Sequence, residues 1–229
     1  MSEETVTPAS VQAGEGEAGV SNTLPRQLKV LAFDTETTGM IKVLKPRLDE
    51  IPEMTQLGAV LFDTNQKPVM EFSTLLSHSN IVVPKTEFFI NNGMSTERCR
   101  EYGVPPDVAL LYFSKMANYA DCLVAHNTWF DWHIVNAAFE RYLVPGGHVG
   151  MRSMTKYCTM LTLQPHLKIP DTYRPGELKT PSLKESFEKM VNPAGFKGAH
   201  NALIDAKVAA KLFFTCLEKN IPLIEPKFA

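Results

Sequence analysis

The order of apolar and polar positions along the chain predicts strands near its beginning. An apolar run from Leu28 to Asp34 predicts a buried strand, and two further apolar runs begin at Met54 and Val69. The polar residues 63–68 (DTNQKP) predict a turn between the second run and the third. We therefore expect a three-stranded antiparallel meander.

Helical spacing dominates the middle of the chain. A helix opened by prolines is predicted from Pro105, and a second helix is predicted from Thr128. A short apolar run, Cys122 to Ala125, predicts a buried strand between them. Residues 152–163 are predicted to form another helix.

Two further helices complete the pattern. Ser182 is predicted to cap a helix that runs through Met190, because Glu185 stands at the spacing of a capping box. The last helix is predicted to begin near Asn201. This order of elements predicts an α/β fold in one domain, with a mixed sheet and helices packed on it.

The two ends and two connections lack a periodic pattern. Residues 1–24 are rich in Ser, Thr, Gly, Glu and Ala and are predicted to be a flexible tail, for which a partner-binding role stays open. We expect the domain over residues 25–222 and a C-terminal tail at 223–229. The connections 41–53 and 164–180 are long and contain prolines, so both are candidates for functional loops.

Charge argues against a general attraction to polyanions. The chain has 23 basic and 25 acidic residues and a net charge of −2. Binding of nucleic acid would then depend on local cations or a bound metal ion. Lys42, Lys45 and Arg47 form one short cationic cluster, for which a solvated loop and a phosphate contact remain equal alternatives.

Other features of the sequence point to a cytoplasmic protein with no membrane partner. No apolar run approaches the roughly 18 residues of a membrane-spanning helix. The N-terminus is acidic and polar, unlike a secretory signal. The 4 cysteines show no C-x-x-C pairing, which favours reduced thiols over a zinc site or a disulfide framework.

Four acidic residues are candidates for a metal site. Asp34 and Glu36 follow an apolar strand and project to one face, with Cα atoms about 6.5–7 Å apart. Asp131 lies in the first turn of one predicted helix and Asp205 in the first turns of another. If these carboxylates converge, they require hard cations such as Mg²⁺ or Mn²⁺ to stay ionised. Two such ions about 3.5–4 Å apart can support phosphoryl displacement.

His200 is a candidate general base. On a continuous helix it would lie about 140° from Asp205, which is unsuitable for a shared site. If the helix begins near Asn201, His200 lies on the incoming loop and can reach the metal, where imidazole suits proton transfer near neutral pH. Taken singly, Asp131 could equally serve its helix dipole and His200 could cap a helix.

Three segments in order resemble the motifs of the DEDDh 3′→5′ exonucleases: residues 33–39 (FDTETTG), 126–135 (HNTWFDWHIV) and 198–206 (GAHNALIDA). That family includes RNase T and the proofreading subunit of bacterial DNA polymerase III. The resemblance extends from Leu28 to Leu217 and implies an RNase H-like fold with a mixed five-stranded sheet. The insertion at 41–53 and the connection at 164–180 depart from the family pattern.

The resemblance implies a role for each matched acid and for His200. Asp34, Glu36 and Asp205 would hold the Mg²⁺ ion that bears the nucleophilic water, with Asp34 shared by a second ion. Asp131 would support that second ion, and Mn²⁺ would substitute for Mg²⁺. His200 would be the general base.

The resemblance also implies substrate contacts. Thr37, Thr38 and Met40 would contact the terminal nucleotide, with the methionine as an apolar wedge against its base. Asn127 and Phe130 would shape the pocket beneath the strand.

The expected activity is hydrolysis of phosphodiester bonds at 3′ ends of single-stranded DNA or RNA, which releases 5′-mononucleotides. A non-catalytic 3′-end-binding module is the alternative, although all five matched residues are present. A proofreading or repair role would require a partner, because no polymerase domain is present in this sequence.

Overall fold

The computed structural model describes residues 27–144 and 149–228. Its five strands are β1 (Val30–Thr37), β2 (Met54–Phe62), β3 (Pro68–Leu75), β4 (Cys122–Ala125) and β5 (Thr155–Cys158). Its helices are α1 (Glu87–Asn91), α2 (Thr96–Tyr102), α3 (Pro106–Ala117), α4 (Thr128–Arg141), α5 (Val149–Ser153), α6 (Thr159–Leu167), α7 (Leu183–Met190) and α8 (Ala202–Glu218).

The strands form one mixed sheet in the order β3-β2-β1-β4-β5. β1, β2 and β3 pair antiparallel, so the predicted meander is confirmed. β4 pairs parallel to β1, and β5 pairs parallel to β4. The predicted α/β fold with a mixed five-stranded sheet is therefore confirmed.

The sheet lies between two layers of helices. Alternate residues of β1 point to opposite faces: Leu31 and Phe33 join the core with α3 and α4, and Val30 and Ala32 join the core with α8. Every residue of β2 is buried, as expected for a strand that is covered on both faces. α8 therefore lies on the face opposite α4, and both helices reach the central strand β1.

The prediction of a helix over residues 152–163 is wrong. Residues 155–158 form β5, an edge strand whose Tyr157 and Cys158 are buried, and α6 begins directly after it. A strand of four residues between two helices is too short to show its own period, so the helical pattern around it dominated the prediction. Lys156 is also buried. Its ammonium donates to the backbone oxygens of Met151 and Met154, which offsets the cost of burying the charge.

The connections contain more structure than the sequence predicted. Two short helices, α1 and α2, lie between β3 and α3. The connection 41–53 includes a 3₁₀ turn at Leu48–Glu50, and Arg141 of α4 donates to the backbone oxygens of Leu48 and Pro52. The connection 164–180 begins within α6 and forms a bridge between Pro170 and Leu178.

The predicted capping box at Ser182 and Glu185 is confirmed. The predicted tail at residues 1–24 lies outside the described residues. The segment predicted as a C-terminal tail packs on the domain: the Ile224 amide donates to the Thr162 hydroxyl, and the Phe228 ring contacts the Trp132 ring. Among the helices of the described ranges, none is both long and apolar enough to cross a bilayer.

Candidate active site

The end of β1 carries the first two acids. Asp34 and Glu36 continue the side of the strand on which Val30 and Ala32 face α8. Their partners on β2 are Gly58 and Gln56, and the register shifts directly after Glu36. Both carboxylates are therefore presented beside α8, where regular strand pairing ends.

Gly58 lets α8 approach the sheet. A Cβ atom at this position would lie 2.3 Å from the carbonyl carbon of Ala202 and 2.3 Å from the amide nitrogen of Leu203. Gln56 holds the same turn, because its side-chain oxygen accepts a hydrogen bond from the Ala202 amide at 3.2 Å. The first turn of α8, which contains Asp205, is thereby fixed against the acidic end of β1.

His200 lies on the loop before α8, since Asn201 caps the helix and accepts from the Ile204 amide. Its backbone is left-handed, with φ of +65°, and its amide donates to Asp205 at 2.9 Å. A non-glycine residue in this region indicates a conformation held by its surroundings. Ligand atoms of Glu36, His200 and Asp205 lie within 4.8 Å of one another.

Asp131 approaches from the other layer. It lies in the first turn of α4 and accepts hydrogen bonds from the amide of Thr35, at 3.0 Å, and from its hydroxyl, at 2.8 Å. Thr35 stands between Asp34 and Glu36 on β1 and so ties Asp131 to that end of the strand. We call Asp34, Glu36, Asp131 and Asp205 the carboxylate cluster.

The carboxylate cluster is costly to ionise. Burial, and secondarily the charges of Asp131, Asp205 and Glu36, raise the pKa of Asp34 well above its usual range. Burial and two neighbouring carboxylates raise the pKa of Glu36 to about 7. Burial raises the pKa of Asp131 to about 7 despite the hydrogen bonds from Thr35. It raises the pKa of Asp205 to about 6, although the His200 amide opposes the shift.

The same cluster suits a divalent cation. Among the described residues, no lysine or arginine forms an ion pair with any of its four members. Oxygen Oδ1 of Asp205 is buried and has no hydrogen-bond partner in the described part of the chain. Oxygen ligands with unbalanced negative charge are those that Mg²⁺ and Mn²⁺ prefer, so the residues present fit such an ion.

The predicted substrate residues surround this end of the sheet. Thr37 donates from its hydroxyl to the Gly39 oxygen, and Thr38 accepts from the Glu53 amide at the base of the loop. Met40 is 66% exposed. Asn127 precedes α4 with a left-handed φ of +76°, and Phe130 is partly buried against the core.

The structure also shows three residues that support the site. Gln56 positions α8, a role that the sequence did not indicate, and the signal for it was a long polar side chain within a mostly apolar strand. Phe88 contacts the His200 ring, and nothing in the local pattern distinguished it from Phe89. His126 bridges Thr159 and the Pro181 oxygen, and burial lowers its pKa to about 4, so it supports the second motif as a neutral group.

The three basic residues of the 41–53 loop differ in whether they form ion pairs. Arg47 pairs with Asp49 and Glu50 of its own turn. Lys42 and Lys45 are exposed and form no ion pair with the described residues.

Solved structures with this fold include Escherichia coli exonuclease I in complex with a dT13 oligonucleotide. That structure has a TM-score of 0.65 and 14% identity over 83% of this chain and 41% of the other. Exonuclease I from Methylocaldum szegediense has a TM-score of 0.63 and 16% identity over 84% of this chain and 41% of the other. The present chain thus spans about two fifths of these proteins. At this identity the likeness shows the fold, which is the RNase H-like arrangement that the resemblance implied.

A comparison with curated proteins gives no match. The model of the RNase T family, described as exonuclease, matches residues 31–213, a segment that contains all four carboxylates and His200. The chain therefore belongs to the RNase T family of DEDD-type 3′→5′ exonucleases, as the three sequence motifs predicted.

Proposed function

We propose that this domain hydrolyses phosphodiester bonds at 3′ ends of single-stranded DNA or RNA and releases 5′-mononucleotides, with the aid of two Mg²⁺ ions. The observation that carries the proposal is the carboxylate cluster, four acids without a lysine or arginine partner in the described chain. The fold shared with an exonuclease I bound to a dT13 oligonucleotide supports a single-stranded substrate.

Asp34, Glu36, Asp131 and Asp205 would hold the metal ions, and Mn²⁺ would substitute for Mg²⁺. Bound there, such ions would lower the pKa of water and stabilise charge on the attacking and leaving oxygens. The Thr35 amide donates to Asp131, and the Gln56 side chain accepts from the Ala202 amide in the turn that carries Asp205, so these acids are in place before the substrate binds. This preorganisation lets the site stabilise developing charge without reorganising.

His200 would take the proton from the attacking water. Its ring lies beside Glu36 and Asp205, and its backbone is fixed by the hydrogen bond that its amide donates to the Asp205 carboxylate. The side chain is also exposed, so a proton accepted by an imidazole nitrogen can pass on to solvent. Conversion of His200→Ala should slow cleavage by about 10²–10⁴-fold, as expected for loss of a general base. Metal and oligonucleotide binding should be retained.

The terminal nucleotide would lie against Thr37, Thr38 and Met40, with the exposed methionine packed on its base. Asn127 and Phe130 would form the opposite side of the pocket. Lys42 and Lys45 are free to contact phosphates upstream, because neither is paired within the described chain.

Product analysis tests the proposal. Matched single-stranded DNA and RNA, each labelled at the 3′ end in one sample and at the 5′ end in another, are incubated with the protein and Mg²⁺. We expect the 3′ label to appear at once as a mononucleotide and the 5′ label to shorten stepwise, with EDTA abolishing both. Comparison of the two polymers gives the preference for a 2′-hydroxyl. Binding of the 3′ end without release would support the non-catalytic module instead.

The cellular setting is also part of the proposal. The described cysteines, Cys99, Cys122, Cys158 and Cys216, are all free and buried, which supports a reducing, cytoplasmic location. A polymerase or repair partner stays a prediction.

A further inference from the structure

An aromatic contact links the candidate general base to a short helix. The rings of Phe88, in α1, and His200 have centroids 4.9 Å apart and planes inclined at 76°, an edge-to-face arrangement. Such a geometry is the preferred one for interacting aromatic rings. Phe88 is nevertheless 45% exposed, so burial in the core does not explain its position.

The neighbouring aromatic residue, Phe89, supports the Phe88 ring. The Phe88 ring packs at 85° on the ring of Phe89, at a centroid distance of 5.3 Å. Phe89 in turn packs against a small core cluster of Ile81, Val83 and Cys99. α1 therefore presents Phe88 to His200 from a supported position.

The imidazole has few other restraints. His200 is exposed and makes its hydrogen bond to Asp205 through the backbone amide. No hydrogen bond to its ring is found among residues 27–144 and 149–228. Without Phe88, the side chain could rotate away from Glu36 and Asp205 into solvent.

We propose that Phe88 is a positioning residue for His200. It restricts the imidazole to orientations in which a ring nitrogen stays beside the acids of β1 and α8, where the attacking water must be deprotonated. This inference rests on the proposed function, because it requires His200 to be the base. It differs from a base-stacking role, in which Phe88 would act on substrate affinity.

Steady-state kinetics on a single-stranded oligonucleotide with saturating Mg²⁺ test the proposal. We expect Phe88→Ala to lower kcat about tenfold with KM within about twofold, since small misplacements of catalytic groups slow the chemical step. Phe88→Trp keeps an aromatic face and should recover most of the rate. Ile90→Ala is the matched control: Ile90 is on the same helix and 65% exposed, and the variant should behave as wild type.

A double-mutant cycle tests whether Phe88 acts on kcat through His200 or independently of it. In a His200→Ala background, Phe88→Ala should cause no further loss of kcat, because the group that it orients is gone. Additive losses would overturn the proposal, and so would a higher KM at unchanged kcat. If His200→Ala alone leaves kcat unchanged, the proposed general base fails, which is a different result from failure of Phe88 alone.

A spectroscopic measurement needs no turnover. The ring-proton resonance of His200 in the metal-free protein can be assigned by its disappearance in His200→Ala. Phe88→Leu should shift this resonance toward the position of a solvent-exposed histidine, because the ring current of the neighbouring phenyl group is removed. An unchanged resonance in folded Phe88→Leu would contradict the contact.

Discussion

Two sets of acids in this domain differ in what balances their charge. Away from the site, several acids form ion pairs with cations of the chain, such as Glu185 with Lys179 at 2.6 Å and Glu71 with Lys207 at 2.5 Å. The hydrogen bond from Lys179, helped by the Ser182 amide, lowers the pKa of Glu185 to about 2. In the carboxylate cluster the pKa shifts run in the opposite direction. Burial raises the pKa values of Glu36 and Asp131 to about 7.

The difference identifies the carboxylate cluster as the place where buried negative charge has no cationic side chain as a partner among the described residues. A buried carboxylate without a partner destabilises the folded state, and four together do so more strongly. Thr35 nevertheless fixes Asp131, Gln56 and the His200 amide fix the first turn of α8 with Asp205, and ligand atoms of Asp205 and Glu36 lie within 4.8 Å of each other. A bound divalent cation would balance the negative charge of these constrained carboxylates.

The largest expected effect comes from removing one charge of the carboxylate cluster. Asp34→Asn should lower nuclease activity by about 10³-fold, the scale on which loss of a charge-stabilising group slows an enzyme. The melting temperature without Mg²⁺ should rise, because a buried repulsive charge is gone. Activity assays and thermal unfolding check both. Glu71→Gln, which removes a surface-paired acid, should leave activity intact; equal losses in the two variants would remove the distinction between the groups.

The next effect concerns the approach of α8. Gly58→Ala places a methyl group 2.3 Å from backbone atoms of Ala202 and Leu203, so the helix must shift. We expect a loss of about 1–3 kcal/mol in the free energy of unfolding in urea, with a fall in activity as Asp205 moves. Gly150→Ala is a control, since its Cβ meets nothing within 4 Å. A Gly58→Ala protein as stable and active as wild type would show that this close approach is not required.

Mg²⁺ should stabilise the protein in a pH-dependent way. The raised pKa values mean that the carboxylate cluster binds more protons in the metal-free fold than in the unfolded chain between about pH 4 and pH 7, so its contribution to stability falls as pH rises through that window. Protons and Mg²⁺ compete for the same oxygens. The rise in melting temperature on adding Mg²⁺ should therefore be larger at about pH 8 than at about pH 5. A rise that is equal at the two pH values would place the metal elsewhere.

The smallest effect is expected from breaking the ion pair between Lys179 and Glu185. Lys179→Met should cost under about 1 kcal/mol of unfolding free energy at neutral pH, because the Lys179 side chain is 45% exposed and water screens the pair. The depressed pKa of Glu185 means that this contribution is present above its ordinary pKa and is lost as pH falls toward about 2. Urea unfolding checks the stability, and activity should not change. A large loss of activity would connect this pair to the site.

The sequence was sufficient for the features with strong local signals. The meander, β4, the long helices and the cap at Ser182 follow from period and turn chemistry, and the three motifs identified the family. The start of α8 at Ala202 places His200 on the incoming loop, the arrangement in which the pair with Asp205 can share a site.

What the sequence missed depends on contacts distant in the chain. β5 is a strand because β4 offers it an edge, and four residues between helices do not reveal this. Phe88 and His200 meet across 112 positions, and Gln56 reaches Ala202 across 146. Pairings of this kind follow from the assembled sheet and its helices, which no short window contains.

Titration of Mn²⁺ into the metal-free protein, followed by electron paramagnetic resonance, tests the central claim most directly. The account predicts saturable binding of about two ions per chain, displaced by Mg²⁺ and accompanied by proton release near neutral pH. Asp34→Asn should lose binding, and Glu71→Gln should retain it. Absence of saturable binding, or equal binding by Asp34→Asn and wild type, would contradict the claim that the carboxylate cluster is a metal site.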